Sequence, residues 1–353
     1  MLAARLHAVG DVRLEEVDAP SPPGPTEVVV APQWCGLCGT DAREYFGPGG
    51  SVPDEPHVLT GIHKPVTLGH ELSAVVTEIG SRVSRVAVGD AVAVFPLVTC
   101  GRCTSCIQGH PILCPFKAWI GMSTLYGGLG DLMLVDESMV SPLGDIDPVV
   151  GAMIEPASVA LEAATAARIR AGDVVLVSGC GPIGVLTVLA AKALGSSLVF
   201  ANDPQPLRAA AAEALGAVIV PSDPAEALDA IHQLAPDGVD AAVNCAGKEP
   251  SLDLCIRAVR PGGTVSVPAV HATPPAVDVW KVTRNALTIV GSLGYSRDTW
   301  DRTIALVASG AYPIGSLNPI RIERDRLVED GLEALGATAA AATKILVRVG
   351  AGL

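Results

Sequence analysis

Charge is scarce in this sequence, and positive charge is scarcest. Asp, Glu, Lys and Arg make up 17% of the 353 residues, against a typical ~25%. Lys and Arg number 24 against 37 Asp and Glu, for a formal net charge of −13, and no run of Lys and Arg offsets the deficit. A surface this acidic repels phosphate backbones and anionic lipids, which argues against nucleic-acid and membrane-surface binding. The first residues, Met1-Leu2-Ala3-Ala4-Arg5, carry neither the apolar stretch nor the cleavage pattern of an export signal. The expected compartment is therefore the cytoplasm. Long apolar runs are missing as well, with one exception: residues 174–191 are 18 positions without a charge, long enough to suggest a membrane span. The centre of that run is Gly179-Cys180-Gly181-Pro182-Ile183-Gly184, which reads instead as a buried strand, a tight turn and a helix. No internal repeat is found.

What is present is globular. Apolar residues make up 49%, and the length suggests about two domains. The first 150 residues carry short Val-rich runs, such as Val28-Val29-Val30 and Ala91-Val92-Ala93-Val94, between Gly, Pro and Asp turns; this is β texture. From about Ile154, Ala-rich helical stretches alternate with short apolar strands. The strands are expected at 174–177, 198–201, 218–220, 241–243 and 264–267, and the helices at 183–194, 207–215, 225–234 and 251–259. Gly195 and Gly216 stand where helix C-caps belong. Such alternation indicates a doubly wound parallel sheet. It fades near Leu287, and the chain closes on an apolar strand at 345–349. The alanine run 337–342 is expected to be helix or loop.

Nine cysteines in a reducing compartment need a purpose other than disulfides. Cys100, Cys103, Cys106 and Cys114 read C-x2-C-x2-C-x7-C. Four thiolates at that spacing can fill a zinc tetrahedron, with Gly101 and Gly109 letting a short loop wrap the ion. Such a closed site stabilises a lobe and does no chemistry. An iron–sulfur cluster shares the tight spacing, and four unrelated thiols are the third reading. Upstream lie Cys35-Gly36-Leu37-Cys38-Gly39-Thr40-Asp41 and Gly69-His70-Glu71, and much later Glu155-Pro156. Each is weak alone. Together they offer thiolate, imidazole and carboxylate, the donors of a zinc site that keeps a position for substrate.

A glycine fingerprint, Gly179-x-Gly181-x-x-Gly184, follows the first predicted strand and opens a helix with Pro182 and Ile183. Gly179 makes the turn, Gly181 admits a pyrophosphate close to the backbone, and Gly184 lets helix and strand pack tightly. Phosphates there meet free N–H groups and the positive end of the helix. Asp203 lies 24 residues after Gly179. Its carboxylate can accept both hydroxyls of an adenine ribose and repels a 2′-phosphate, which selects NAD over NADP, although Arg208 stands close enough in sequence to meet such a phosphate.

These segments, in this order, resemble the zinc-dependent medium-chain alcohol dehydrogenases, and the resemblance spans nearly the whole chain. The stretches 57–71, Ile154-Glu155-Pro156 and Gly291-Ser292-Leu293-Gly294-Tyr295 are most similar to the butanediol and sorbitol-type (polyol) members. The resemblance implies an α/β fold with two parts. A GroES-like β-rich catalytic domain would cover 1–152 and 290–353, with a structural zinc lobe at about 96–116. A Rossmann domain, a doubly wound parallel sheet, would bind NAD over 153–289. Cys38 and His70 would be zinc ligands, Glu155 a ligand directly or through water, and Glu71 an alternate ligand that exchanges with water. Thr40 would bond the substrate oxygen and pass its proton on, while Asp41 would orient a ligand and Cys35 would be structural. Cys245, Ala246, Val270, Ser292 and Leu293 would line the nicotinamide half of the cofactor, mostly through backbone.

The implied activity is a zinc- and NAD-dependent interconversion of a secondary alcohol or vicinal diol with its ketone, most of all of the 2,3-butanediol/acetoin kind. The ion lowers the pKa of a bound hydroxyl and polarises the carbonyl in reverse. Two zinc ions per chain, a small-molecule alcohol or ketone partner and a homodimer or homotetramer are implied as well. Two other readings stand beside it: a dehydrogenase for a larger cyclic or sugar-derived alcohol, and a catalytically inactive nucleotide-binding relative. Three positions depart from the pattern. Arg43 stands where relatives often carry the histidine that ends the proton relay, Glu162 stands where they commonly have histidine, and Asp131-Leu132 replaces Glu-Tyr.

Overall fold

The computed structural model describes residues 1–47, 49–336 and 344–350. They fall into two compact units. The first holds Met1–Glu155 and the segments that begin at Asn318 and Lys344; the second holds Pro156–Leu317.

The first unit is built on antiparallel strands, apart from one parallel pair, Ile320–Glu323 with Ile345–Arg348. Its larger sheet runs in the order Val140–Pro142, Ala91–Val94, Glu71–Ile79, Glu27–Gly36, Ile345–Arg348 and Ile320–Glu323, with Met133–Asp136 also pairing to Glu27–Gly36. The strand Glu27–Gly36 therefore sits in the middle. Its register shifts at Val29/Val30 and again at Pro32/Trp34, and the second irregularity accommodates a proline that donates no ladder hydrogen bond. A three-stranded sheet, Asp11–Glu16, Leu2–Ala8 and Val66–Thr67, packs its inward Ala4 and Leu6 into the core. Asp131 ties distant segments of this unit together. It accepts the Leu2 N–H at 2.7 Å and pairs with Arg324 at 2.7 Å, which gives that departure a structural explanation.

In the second unit every neighbouring strand pair is parallel, in the order Val218–Ile219, Leu198–Asn202, Val174–Ser178, Val239–Asn244, Val259–Val267 and Thr288–Gly291. All five expected strands and all four expected helices are present. The central strands read as short apolar runs because helices cover both faces of such a sheet. Leu176, Phe200, Ala242 and Val265 form one buried cluster with Leu228, Ile231, Leu252 and Ile256 from the helices Pro224–Leu234 and Glu249–Ala258. Gly195 and Gly216 take φ of +90° and +86° just past the helices Pro182–Ala193 and Pro206–Ala214, which is the left-handed C-cap their positions suggested.

The expected division at 290 falls inside the strand Thr288–Gly291, which is paired along its length with Val259–Val267. Sheet pairing holds that strand, and the following helix Arg297–Ala308 stays in the second unit up to Leu317. Glu162 belongs here too: it accepts the Thr299 hydroxyl at the start of that helix. Tyr312 is fully buried, and its hydroxyl donates to the carbonyls of Ala157 at 3.2 Å and Leu186 at 3.0 Å. Tyr312→Phe leaves both acceptors without that donor and is expected to lower stability by about 1–2 kcal/mol, read from chemical denaturation midpoints. An unchanged midpoint would show that water replaces the phenol. The alanine run at 337–342 lies outside the described residues. Among the described residues no helix is long and apolar enough to cross a membrane.

Candidate functional site

Three of the expected ligands converge in the first unit. The donor atoms of Cys38, His70 and Glu71 all lie within 4.8 Å of one another. Cys38 is the N-cap of the helix Gly39–Phe46, and its backbone N–H is accepted by Asp41 Oδ2 at 2.8 Å. That bond fixes the first turn and buries the Asp41 carboxyl completely. His70 and Glu71 follow Gly69, whose φ is +99°. A Cβ at Gly69 would stand 2.5 Å from Cys35 Sγ, so the turn that aims His70 requires glycine. Cys35 is itself fully buried behind it, and burial pushes its thiol well above the ordinary range. This agrees with a structural role for Cys35.

The site is anionic. Burial alone would hold His70 neutral, yet Asp41, then Cys38 and Glu155, raise its pKa well above the usual value. His70 Nδ1 stands 3.8 Å from Asp41 Oδ1, and neither atom has a hydrogen-bond partner among the described residues. Buried groups of this kind call for a cation. A thiolate, an imidazole and carboxylates that meet beside buried, unpartnered polar atoms suit zinc. Glu155 is 7% exposed at the start of the helix Ile154–Ala166. It influences His70 but is not one of the three donors that converge within 4.8 Å. Thr40 Oγ1 lies 3.6 Å from Cys38 Sγ and accepts from Arg43 at 3.4 Å. Sequence reasoning missed Lys344, which is buried against Glu71. A lysine at the head of an apolar strand was its only trace.

The second cluster is complete. The sulfurs of Cys100, Cys103, Cys106 and Cys114 lie within 4.8 Å of one another. The lobe is closed by the two-stranded ribbon Leu97–Val98 with Ala118–Trp119. Gly101 and Gly109 take φ of +67° and +81° as the loop wraps. The backbone N–H of Arg102, then that of Cys103, helps pull the Cys100 thiol down to about 6, while, against the backbone N–H of Cys106, burial and the neighbouring thiols push Cys103 up to about 11; Cys100 is thus the thiol of this pair poised to ionise first.

In the second unit the glycine turn sits between the C-terminal ends of Val174–Ser178 and Val239–Asn244, where the strand order reverses and such folds bind nucleotides. A Cβ at Gly184 would collide with the Gly179 carbonyl, whereas one at Gly181 would meet nothing within 4 Å. The first glycine closes the helix onto the turn, and the second leaves the approach open for a phosphate. Pro182 and Ile183 begin the helix behind it. Asp203 is held from both sides: Oδ2 accepts from Cys180 N and Oδ1 from Gln205 N, each at 2.8 Å. Arg208 lies half-buried one turn further on. Asn244 Oδ1 accepts the N–H groups of Ala246 at 3.1 Å and Gly247 at 3.2 Å, which shapes the loop after Cys245. Val270 and Leu293 are 72% and 55% exposed, and Ser292 Oγ is buried without a partner among the described residues.

Two family profiles match this chain. The one described as "Alcohol dehydrogenase GroES-like domain" covers residues 24–145, and "Zinc-binding dehydrogenase" covers 182–309. The chain is 34% identical to the (R,R)-butanediol dehydrogenase of Bacillus subtilis over 99% of both chains. The chain belongs to the zinc-dependent medium-chain alcohol dehydrogenase family. The crystal structure of 2R,3R-butanediol dehydrogenase from Bacillus subtilis superposes with a TM-score of 0.92 at 34% identity, over 98% of this chain and 99% of that one. The sorbitol dehydrogenase of the same organism is 31% identical over 88% of this chain and 86% of its own. A zinc-binding dehydrogenase structure from Sinorhizobium meliloti 1021, bound to NADP, gives a TM-score of 0.86 at 31% identity over 98% of both chains. The family assignment makes this chain an oxidoreductase of alcohols and polyols with a GroES-like unit and a Rossmann unit.

Proposed function

We propose that this dehydrogenase interconverts a vicinal diol and its hydroxyketone, of the 2,3-butanediol/acetoin class, with NAD as hydride carrier. The observation that carries the reading is the convergence of the Cys38, His70 and Glu71 donors beside buried, unpartnered polar atoms. Cys38, His70 and Glu155 would hold the active-site zinc, with Glu71 as an alternate ligand, and Cys100, Cys103, Cys106 and Cys114 would hold a second, structural ion. When bound, the active-site ion supplies Lewis-acid polarisation of the substrate oxygen. Asp41 faces the His70 ring and would keep it oriented toward the ion. Thr40, 3.6 Å from the Cys38 sulfur, would take the hydroxyl proton and pass it on. Arg43 donates to Thr40, and a guanidinium offers donors but no acceptor. It can orient that hydroxyl but not accept its proton, so the proton leaves Thr40 by another route.

The cofactor reading rests on Asp203. Its two oxygens, pinned by Cys180 and Gln205, keep lone pairs for the ribose hydroxyls and oppose a 2′-phosphate. Cys245, Ala246, Val270, Ser292 and Leu293 would face the nicotinamide end. We also infer a homodimer or homotetramer, for which the edge position of Thr288–Gly291 in its sheet offers an unpaired ladder. A cytoplasmic setting suits nine free thiols.

Initial rates of NADH formation across an alcohol panel test the reading, with 2,3-butanediol stereoisomers, sorbitol-type polyols, threonine and simple secondary alcohols, and NADP in parallel. The expected result is selective turnover of one butanediol isomer, with NAD preferred. Uniformly feeble rates from zinc-replete protein would overturn the diol assignment and direct the search to larger cyclic alcohols.

A further inference from the structure

Glu71 faces two competing cations. Its carboxylate is one of the three converging donors, and its Oε2 is also ion-paired with Lys344 Nζ. The pair is buried, with side chains 4% and 1% exposed for Lys344 and Glu71, and Lys344 Nζ donates as well to the Leu37 carbonyl at 3.0 Å. The sheet explains how they meet. Glu71 and Leu346 stand opposite Gly36 from the two flanking strands, and directly opposed residues share a face. Lys344 precedes Leu346 by two positions, which is one period of an extended chain. Gly36 has no side chain to fill the space between. A Cβ built there would collide with Glu71 Oε2 and come within 3.0 Å of Lys344 Cε. The glycine leaves the gap through which the lysine reaches the carboxylate.

A lysine this deeply buried is held by compensation. The Glu71 carboxylate and the Leu37 carbonyl supply that compensation. Its ammonium is also the competitor of any metal for Glu71. A catalytic site needs three protein ligands and an open position, and a fourth permanent ligand would close it. We propose that Lys344 is a positioning residue that draws the Glu71 carboxylate to itself and so keeps Glu71 an occasional ligand of the active-site metal instead of a permanent one. The inference rests on the metal reading given above.

Zinc release tests it with a readout separate from turnover. Zinc-loaded protein is mixed with excess chelator, and the active-site phase is identified by its absence in His70→Ala. Lys344→Met leaves Glu71 without its counter-charge, so the carboxylate turns to the metal. Release is expected to slow by about tenfold, within the range by which groups around a ligand alter metal affinity. Lys344→Arg keeps the charge and is expected to stay near wild type. In Lys344→Met/Glu71→Gln the slowing is expected to vanish. A lysine that merely supports the fold predicts the opposite sign, faster release from Lys344→Met. Release at the wild-type rate or faster, or slowing that survives in the double variant, overturns the proposal. If Lys344→Met does not fold, Lys344→Gln carries the same comparison, because its amide can still bond to the Leu37 carbonyl without the charge. Release phases unchanged in His70→Ala would overturn the metal reading, a failure distinct from that of the lysine inference.

Discussion

Replacing His70 with alanine is expected to lower kcat/KM by about 10³-fold or more and to remove one zinc per chain. A bound metal contributes several kcal/mol to stabilising charge on the reacting oxygen, and each 1.36 kcal/mol corresponds to about tenfold in rate. The imidazole is one of the three converging donors of the cluster. It lies between the Cys38 thiol and the Glu71 carboxylate in chemistry and within 4.8 Å of both in space. Its removal also leaves Asp41, which is fully buried, without the ring it faces. The fold does not depend on His70, because the turn is set by Gly69 and the following strand by its pairing with Glu27–Gly36. Far-UV circular dichroism is therefore expected to stay unchanged while zinc content and turnover fall together. A variant that kept more than about a tenth of wild-type kcat/KM would exclude a metal-assisted reaction at this cluster.

Cys103→Ser separates the second cluster from the first. Its expected signature is loss of one zinc with the active-site ion retained, and a fall in melting temperature of roughly 5–10 °C. Structural zinc contributes folding energy directly. The lobe has little else to hold it: Ile107, Leu113 and Phe116 are exposed, and the enclosing ribbon is two residues on each side. Limited proteolysis is expected to cut between 97 and 119 in the variant and not in the wild type. Protein that survives purification keeps Cys38, His70 and Glu155, so its residual activity per active-site zinc is expected to persist. Retention of both ions would show that three thiolates and a water suffice there. Loss of both would show that the lobe supports the active site.

The parts of this protein that local chemistry decides were legible in its sequence. Four cysteines within one short loop can meet only each other. Strands buried on both faces announce themselves as apolar runs, and the glycine turn follows one of them. What escaped depends on residues far apart in the chain. Glu155 is read as a ligand with Cys38 and His70, 85 positions beyond His70, and it acts on the His70 ring from the start of the helix Ile154–Ala166. An apolar strand near 288–293 was legible, but its partner was not: the boundary drawn at 290 cuts Thr288–Gly291, which Val259–Val267 holds in its sheet. Asp131 with Arg324, Glu162 with Thr299, and Glu71 with Lys344 are contacts across 193, 137 and 273 positions. Nothing in a local window marks them.

Among the described residues the second unit is one continuous stretch, whereas the first is interrupted by it. This sets an order on synthesis. When residues up to 155 have been made, the strand Glu27–Gly36 can pair with Glu71–Ile79 along one edge and with Met133–Asp136 along the first part of the other, but Trp34, Cys35 and Gly36 on that second edge await Ile345–Arg348. The nucleotide unit is made whole during that interval and can fold at once, since domains generally fold as units during translation. The first unit must meanwhile carry a short stretch of open sheet edge at Trp34–Gly36, the kind that invites pairing with another chain. The strand that closes this edge follows directly on Lys344. Shielding of the nascent sheet and arrival of the lysine that pairs with Glu71 therefore await the same late segment of the polypeptide.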